Sequence, residues 1–526
     1  MAALSLAACG SSQPLGGTGA SPAQLSERAQ AARFLMQATF GPTPEEINTV
    51  GSPKNFDAWL TQQKGAPVSL ELPYLQAQHK LSLSQADRIE AWWRNAVNGP
   101  DQLRQRMAFA LSEIMVVSDQ TVLGNTPEGV AYYYDLLAQN ALGNFRDLLT
   151  DVTLSPAMGR FLSMFQNRKP DPANGIRSDE NYAREVMQLF SIGLVQLKLD
   201  GSPAESTGKR VPTFTQSDVA NLARVFTGWS WAGATDYNGT ENWTAPMQPY
   251  EKYHDETAKV IVGGAPIPAG MQARQELNLA LDTLFNHPNV GPFIGKQLIK
   301  RLVTSNPSPA YVARVAQAFN DNGHGVRGDL FAVARAILLD AEAQAPPTSA
   351  SGKLREPLLR VSQLWRAFHA QADNGRYDLD PAASLDQSPL GAASVFNFFR
   401  PEFRPAGVLA GAGLVAPEFE ITDETTIVNV ANEVGRIAGR YRSTQGRTAN
   451  QSGDVLLDFR PWEAPASQPE KLLDNLDLLL MSGTMPAAMR QALLDDVSEI
   501  PADQPALRVD EMLQLIVTSP QYAVQE

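Results

Sequence analysis

Apolar positions recur every three to four residues along most of this chain, the spacing of helices that bury one face. Thr43-Pro44-Glu45-Glu46 forms a capping box with proline at the first helical position and leads into Ile47 and Val50. Asp101 to Val117 sets Leu103, Met107, Ala110, Leu111 and Ile114 on one stripe. Ser178-Asp179-Glu180 opens a segment through Tyr182, Val186, Leu189 and Phe190 that stops at Gly193. Thr215 to Asp218 starts another, through Val219, Leu222, Ala223 and Phe226. The same spacing predicts helices over Pro288–Val303, Pro309–Phe319, Asp329–Leu339, Glu424–Tyr441, Glu470–Met481, Pro486–Val497 and Ala506–Val517.

Period-2 alternation is scarce, and Val260–Val262 is its best instance. It lies in an irregular stretch, Trp229 to Gly270, rich in Trp, Tyr, Gly and Asn and long enough to be a functional loop. Asp378–Leu390 and Ser443–Asp454 read as further surface loops, and no repeat of fixed period appears. The expected fold is all-α, with at most a minor β-hairpin. The expected organisation is a tether over residues 1–27 and one helical domain over 28–526.

Composition narrows the setting. A net charge of -13 argues against nucleic acid, whose phosphates need a cationic surface, and against electrostatic attachment to anionic lipid. No apolar run approaches the ~20 residues that span a bilayer. The single cysteine, Cys9, excludes an intramolecular disulfide and cysteine-clustered zinc. It follows Leu6-Ala7-Ala8 and precedes Gly10, the pattern of a bacterial lipobox, and a Gly/Ser/Pro/Ala-rich stretch to Pro22 suits a tether. The expectation is a lipid-anchored envelope protein, at the outer rather than the inner membrane because Gly10 is not aspartate. Eight residues before the cysteine, with Arg28 the first basic side chain, place the precursor's true start upstream.

Several segments together resemble a known family. They are Ala32-Arg33-Phe34-Leu35 with Ala38 to Thr43, Leu103-Arg104-Gln105-Arg106 through Glu113, and Glu180-Asn181-Tyr182-Ala183-Arg184-Glu185. Phe226-Thr227-Gly228-Trp229, His254-Asp255, His287-Pro288-Asn289-Val290 and Val395-Phe396-Asn397-Phe398 complete the set. In order and spacing they resemble the bacterial family called domain of unknown function 1800 (DUF1800), from about residue 28 to Gln521. The resemblance implies a helical fold, export, and a sulfatase-like neighbour protein (DUF1501-type) as partner. It implies no activity.

The chemistry must come from the residues. No HExxH, GxSxG, P-loop, dinucleotide fingerprint or CxxCH occurs. On a helix, Asn181 and Glu185 share one face, as do Glu180 and Arg184. A carboxylate beside an amide could ligate a divalent cation or act as a base; acid at a helix start plus an intrahelical ion pair is the structural alternative. His254-Asp255 sits in the polar-aromatic loop, where an acid can orient an imidazole. His287 before Pro288 reads as a capping position. Trp229, Trp231 and Trp243 either stack on sugar rings or roof the core. Arg301, Arg327 and Arg335 are groups an anionic ligand would need.

Two functions follow as expectations. One is an extracytoplasmic hydrolase or transferase acting on an envelope glycan or anionic polymer. Its catalytic residues are Glu185, His254 and Asp255, its binding residues Asn181, Arg184, Asp218 and His287, and a divalent cation is a candidate cofactor. The other is a non-catalytic scaffold for the sulfatase-like neighbour.

Overall fold

The computed structural model describes residues 25–526 apart from Ser349, Asp373 and 441–454. Cys9, most of the tether and most of the expected Ser443–Asp454 loop therefore lie outside the described residues. Within them are 24 α-helices and five two-stranded antiparallel pairs, no strand exceeding three residues. The fold is all-α.

The periodic segments become helices close to their expected limits: Val290–Leu302, Pro309–Asn320, Leu330–Leu338, Thr426–Arg440, Pro469–Met481, Ala487–Ser498 and Pro505–Val517. Local chemistry sets their starts. Thr43 and Glu46 satisfy each other's backbone N–H groups in a complete capping box, and Thr215 with Asp218 repeats the device. One expectation is shortened: the helix begun at Asp101 runs only over Gln102–Ser112. Ile114 to Val117 stay buried but leave the helix, as β-branched residues readily do, and Met115 accepts a 2.5 Å hydrogen bond from the Tyr133 hydroxyl.

One apolar cluster reaches from Ala31 to Tyr522. At its centre the rings of Phe40, Trp92, Trp93 and Trp365 meet edge to face at centroid distances of 5.4, 4.9 and 4.8 Å. They join the helices Gln85–Asn98 and Pro357–Ala367 around Gln102–Ser112, every residue of which is buried. The strand pairs act as clips. Val524–Gln525 pairs with Lys353–Leu354, while Trp229–Ser230 pairs with Gln248–Pro249, and Lys259–Ile261 with Ala265–Ile267, inside the aromatic stretch. The chain end is also held by Arg33, whose Nε donates to the Glu526 carbonyl at 2.7 Å.

Gly41 shows how closely these parts approach. Its φ of +121° is closed to ordinary side chains, and a Cβ there would lie 2.5 Å from the Gln363 Cα. Its carbonyl accepts from Arg366 Nε at 2.6 Å, and the same guanidinium pairs with Glu46 at 2.7 Å. Gly41→Ala should therefore cost about 2–3 kcal/mol, read as a lower urea midpoint with an unchanged denaturant slope. An unchanged midpoint would mean that the two segments separate without loss.

Candidate functional site

The residues expected to form a site have separate sets of partners. Asp218 is occupied by the capping box of its own helix. Asn181 begins the helix Asn181–Gln188, its N–H donating to Asp179 at 2.8 Å. Arg184 bonds Glu180 and Gln216, each at 3.1 Å. His287 caps a helix junction: its Nδ1 accepts from the Asn289 N–H at 3.2 Å and its carbonyl from Arg327 at 3.0 Å. Glu185 is 6% exposed, with one carboxyl oxygen buried and without a hydrogen-bond partner, and burial raises its pKa. Among the described residues no hydrogen bond or ion pair joins it to His254 or Asp255.

His254 and Asp255 belong to a closed network below the aromatic loop. His254 is fully buried; its Nδ1 lies 3.1 Å from the Thr227 carbonyl and its Nε2 3.3 Å from Glu276. Glu276 accepts two hydrogen bonds from Lys259, at 2.9 and 2.7 Å. Asp255 pairs with Arg224 at 3.0 Å, and its N–H donates to the Thr227 hydroxyl at 3.0 Å. The neighbouring tryptophans roof the core: Trp229 and Trp231 are buried, and Trp231 meets Trp243 at 4.8 Å. Among the described residues no three His, Cys, Asp or Glu side chains are grouped so as to hold a metal ion.

A different set of charges converges deep in the fold. Arg106 and Glu113, seven residues apart, lie along the Gln102–Ser112 helix and its cap; Arg301 ends the helix Val290–Leu302. Lys353 and Glu356 precede the helix Pro357–Ala367, and Glu418 comes from the segment 386–421. All six are at most 4% exposed. Lys353 donates to Glu418 at 2.9 Å and to the Arg301 carbonyl at 2.8 Å, and lies 3.7 Å from Glu356. Arg301 lies 3.5 Å from Glu113 and donates to its carbonyl at 2.9 Å; Arg106 donates to the Arg301 carbonyl at 2.6 Å. The segment 386–421 covers them, with Gln387 donating to Glu356 at 2.6 Å and Asn397 to Glu113 at 3.2 Å.

The carboxyls of Glu113 and Glu356 face each other within hydrogen-bond reach. Burial, then the adjacent Glu356 charge, hold Glu113 well above the ordinary carboxyl range. Burial acts on Glu356 in the same sense, but Lys353, the proton shared from Glu113 and Arg106 outweigh it and leave its pKa below the usual value. Glu113 is thus the carboxyl of the pair that holds a proton more readily. Polar atoms remain unsatisfied around it: Glu113 Oε2, Glu356 Oε1, Glu418 Oε2, Arg106 Nε and Nη1, and Arg301 Nε. The cover is strained beside it, since Leu390 and Asn397 hold φ of 53° and 67°. Perturbed carboxyls, unused donors and backbone strain in one place mark a functional site better than any one of them does.

Of these residues sequence reading singled out only Arg301, as a group that could meet an anionic ligand, although Arg106, Glu113 and Asn397 fall within segments that carry the family resemblance. The available signal was the pair of charges at i and i+7 on a helix otherwise apolar on that face.

The proton's position sets an asymmetry. Glu113→Gln keeps a neutral donor toward Glu356 and should change stability by less than about 1 kcal/mol near pH 5. Glu356→Gln leaves Lys353 and Arg106 short of a counter-charge and should cost about 3–5 kcal/mol. Because the raised Glu113 pKa stabilises the fold below the ordinary carboxyl range and that gain is lost as pH rises, Glu113→Gln should gain on wild type as pH rises. The gain is at most about 1.4 kcal/mol per pH unit from pH 5 to 8, read by urea unfolding at each pH. Equal costs for the two substitutions, or parallel pH profiles, would place the proton elsewhere.

No curated protein and no solved structure matches the chain. The family model described as "Protein of unknown function (DUF1800)" matches residues 33–524, a span that contains every charged residue of the buried cluster and both networks around it. The chain belongs to the DUF1800 family.

Proposed function

We propose that this DUF1800 protein is an exported, lipid-anchored envelope hydrolase whose acid–base centre is the Glu113–Glu356 pair. The observation that carries the reading is a pair of buried carboxyls, Glu113 shifted upward and Glu356 downward, ringed by Arg106, Arg301 and Lys353. Glu356 accepts a proton from water as its oxygen attacks, and Glu113 gives its proton to the carbonyl oxygen that becomes negative. On collapse that oxygen returns its proton to Glu113, the acyl bond to the leaving alcohol or amine breaks, and Glu356 passes its proton to that leaving group. The three cations stabilise the carbonyl oxygen in a site of low dielectric.

The substrate class follows from the spacing. Glycosidic cleavage holds its carboxyls about 5–9.5 Å apart so that a sugar carbon or a water fits between them. Carboxyls sharing one proton instead suit attack of water on a carbonyl, as in aspartic proteases. An ester or amide substituent on an envelope glycan or related anionic polymer fits both the pair and the cations. Access requires the 386–421 cover to move. The lipobox at Cys9 supports the address, with the outer membrane as the site of anchoring.

The test is mass spectrometry of small acyl products released from isolated envelope polysaccharide and peptidoglycan by the full chain. Release by wild type, reduced at least about 100-fold in Glu356→Gln at temperatures where both are folded, is the expected result. Equal release by that variant, or none from any envelope fraction, overturns the reading.

A second reading, a scaffold for the sulfatase-like neighbour, draws on a groove of about 260 Å³ lined by Ile47, Trp462, Leu478 and Leu479. It shares no lining residue with the carboxyl cluster, and its one close titratable pair is His369 with Glu45 at 3.2 Å. A stoichiometric membrane complex that survives both Glu113→Gln and Glu356→Gln, with no acyl release, would favour it.

A further inference from the structure

The segment that covers the carboxyl cluster also carries the most exposed apolar surface of its region. No side chain from Pro405 to Pro417 is charged or polar. Val408 is 89% exposed, and Phe396 and Phe419, at the two ends of the segment, are 49% and 36% exposed. Apart from the adjacent Ile427 and Val428, the other exposed large apolar residues do not adjoin one another in sequence, and scattered exposure of that kind is ordinary.

The backbone of this projection is unusual for a loop, because it answers its own hydrogen-bond needs. Gly411 donates to the Gly407 carbonyl, Ala412 to Val408, and Gly413 to Ala410, each at 3.0 Å, and Leu414 donates to Leu409 at 2.9 Å. The short helix Val408–Gly411 forms the tip. The base is closed where Ala416 donates to Phe403 at 3.0 Å, and where Asn306 and Val415 exchange hydrogen bonds of 2.8 and 2.9 Å. Internal bonds to the N–H groups of Gly411 to Leu414 reduce the penalty that an ordinary loop meets at a hydrocarbon boundary.

We infer that the Ala406–Leu414 tip is a membrane-contact surface that inserts into the headgroup boundary of uncharged lipid. The composition selects lipid over a protein partner: the tip has no Trp, Tyr or Arg, the side chains that anchor protein interfaces, and presents only Val, Leu, Ala and Gly. Of the charges flanking it, Arg400 is paired with Glu420 and Lys300 with Glu402, which leaves Arg404 as an exposed cation beside the tip that would attract anionic headgroups. Against Arg404, the chain's net charge of -13 repels them. Val408 and Leu409 supply the buried area, and the contact lies beside Glu418, which turns inward to Lys353 immediately after the tip. The cover of the carboxyl cluster is thereby set against the bilayer. This inference depends neither on acylation at Cys9 nor on catalysis at Glu356.

The experiment uses the full chain with Cys9→Ser, which removes both the acylation site and the native thiol, and Val408→Cys carrying an environment-sensitive nitrobenzoxadiazole label. On phosphatidylcholine vesicles the label should shift to the blue. The unlabelled Cys9→Ser protein should float with these vesicles, and Val408→Asp with Leu409→Asp should lower the bound fraction at least about tenfold without changing the melting temperature. Replacing a third of the lipid by phosphatidylglycerol should weaken binding. Absence of flotation overturns the inference, as does flotation unaffected by the two aspartates or strengthened by anionic lipid. Concentration-dependent dimerisation without lipid, abolished by the same aspartates, would overturn it in favour of a second copy of the chain.

Discussion

Burying charge in a helical core is the constraint on which the rest of this structure depends. Arg106, Glu113, Arg301, Lys353, Glu356 and Glu418 are all removed from water, and each would be costly alone. They are tolerable only together, because every carboxyl has a cation within reach and carbonyls take up part of the remaining donors. The arrangement requires four separate parts of the chain to be in register. A cluster of this kind is weak evidence for stability, since apolar residues of similar volume would often serve as well. That is the physical reason to look there for chemistry rather than for an architectural support.

The second network shows the contrasting case. His254, Lys259 and Glu276 are also buried, but their bonds close on one another, with Asp255 and Arg224 at the edge. Thr227 and Gly228 lie against the His254 backbone so closely that a Cβ at Gly228 would meet the His254 nitrogen at 3.0 Å. The long polar-aromatic stretch is thereby fastened to the helix Ala273–Asn286. Two of the segments that carry the family resemblance thus meet in one fastening, while Arg106, Glu113 and Asn397 from two others meet at the carboxyl pair. Shared sequence pattern marks both kinds of place, and the number of unsatisfied atoms among the described residues separates them: six at the carboxyl cluster against His254 Nε2 alone in the second network.

Catalysis and membrane contact, as proposed, are linked through the segment 386–421. Its inner side gives Gln387, Asn397 and Glu418 to the charges, and its outward tip, Ala406–Leu414, is apolar. The polarity is opposite to that of an ordinary surface loop, whose polar side faces water. A cover built this way has a reason to lie at a bilayer.

What the sequence determined was local and periodic. Helix positions followed from apolar spacing, because a helix that buries one face repeats that face every 3.6 residues, and helix starts followed from Thr43 with Glu46 and Thr215 with Asp218. The family was legible because its segments keep their order along the chain. The partners of each charged residue were not legible. Glu185 and His254 stood out because their neighbours in sequence were suggestive, whereas Glu113 meets Glu356 across more than two hundred positions of intervening chain. The meeting is decided by packing of Trp93 on Trp365 and of Trp92 on Phe109, which sets the helices Pro357–Ala367 and Gln102–Ser112 against the same helix, Gln85–Asn98. Which carboxyl keeps the proton is decided by the cations that packing delivers. Periodicity says which face of a helix is buried, and only the tertiary structure decides which other buried face it meets.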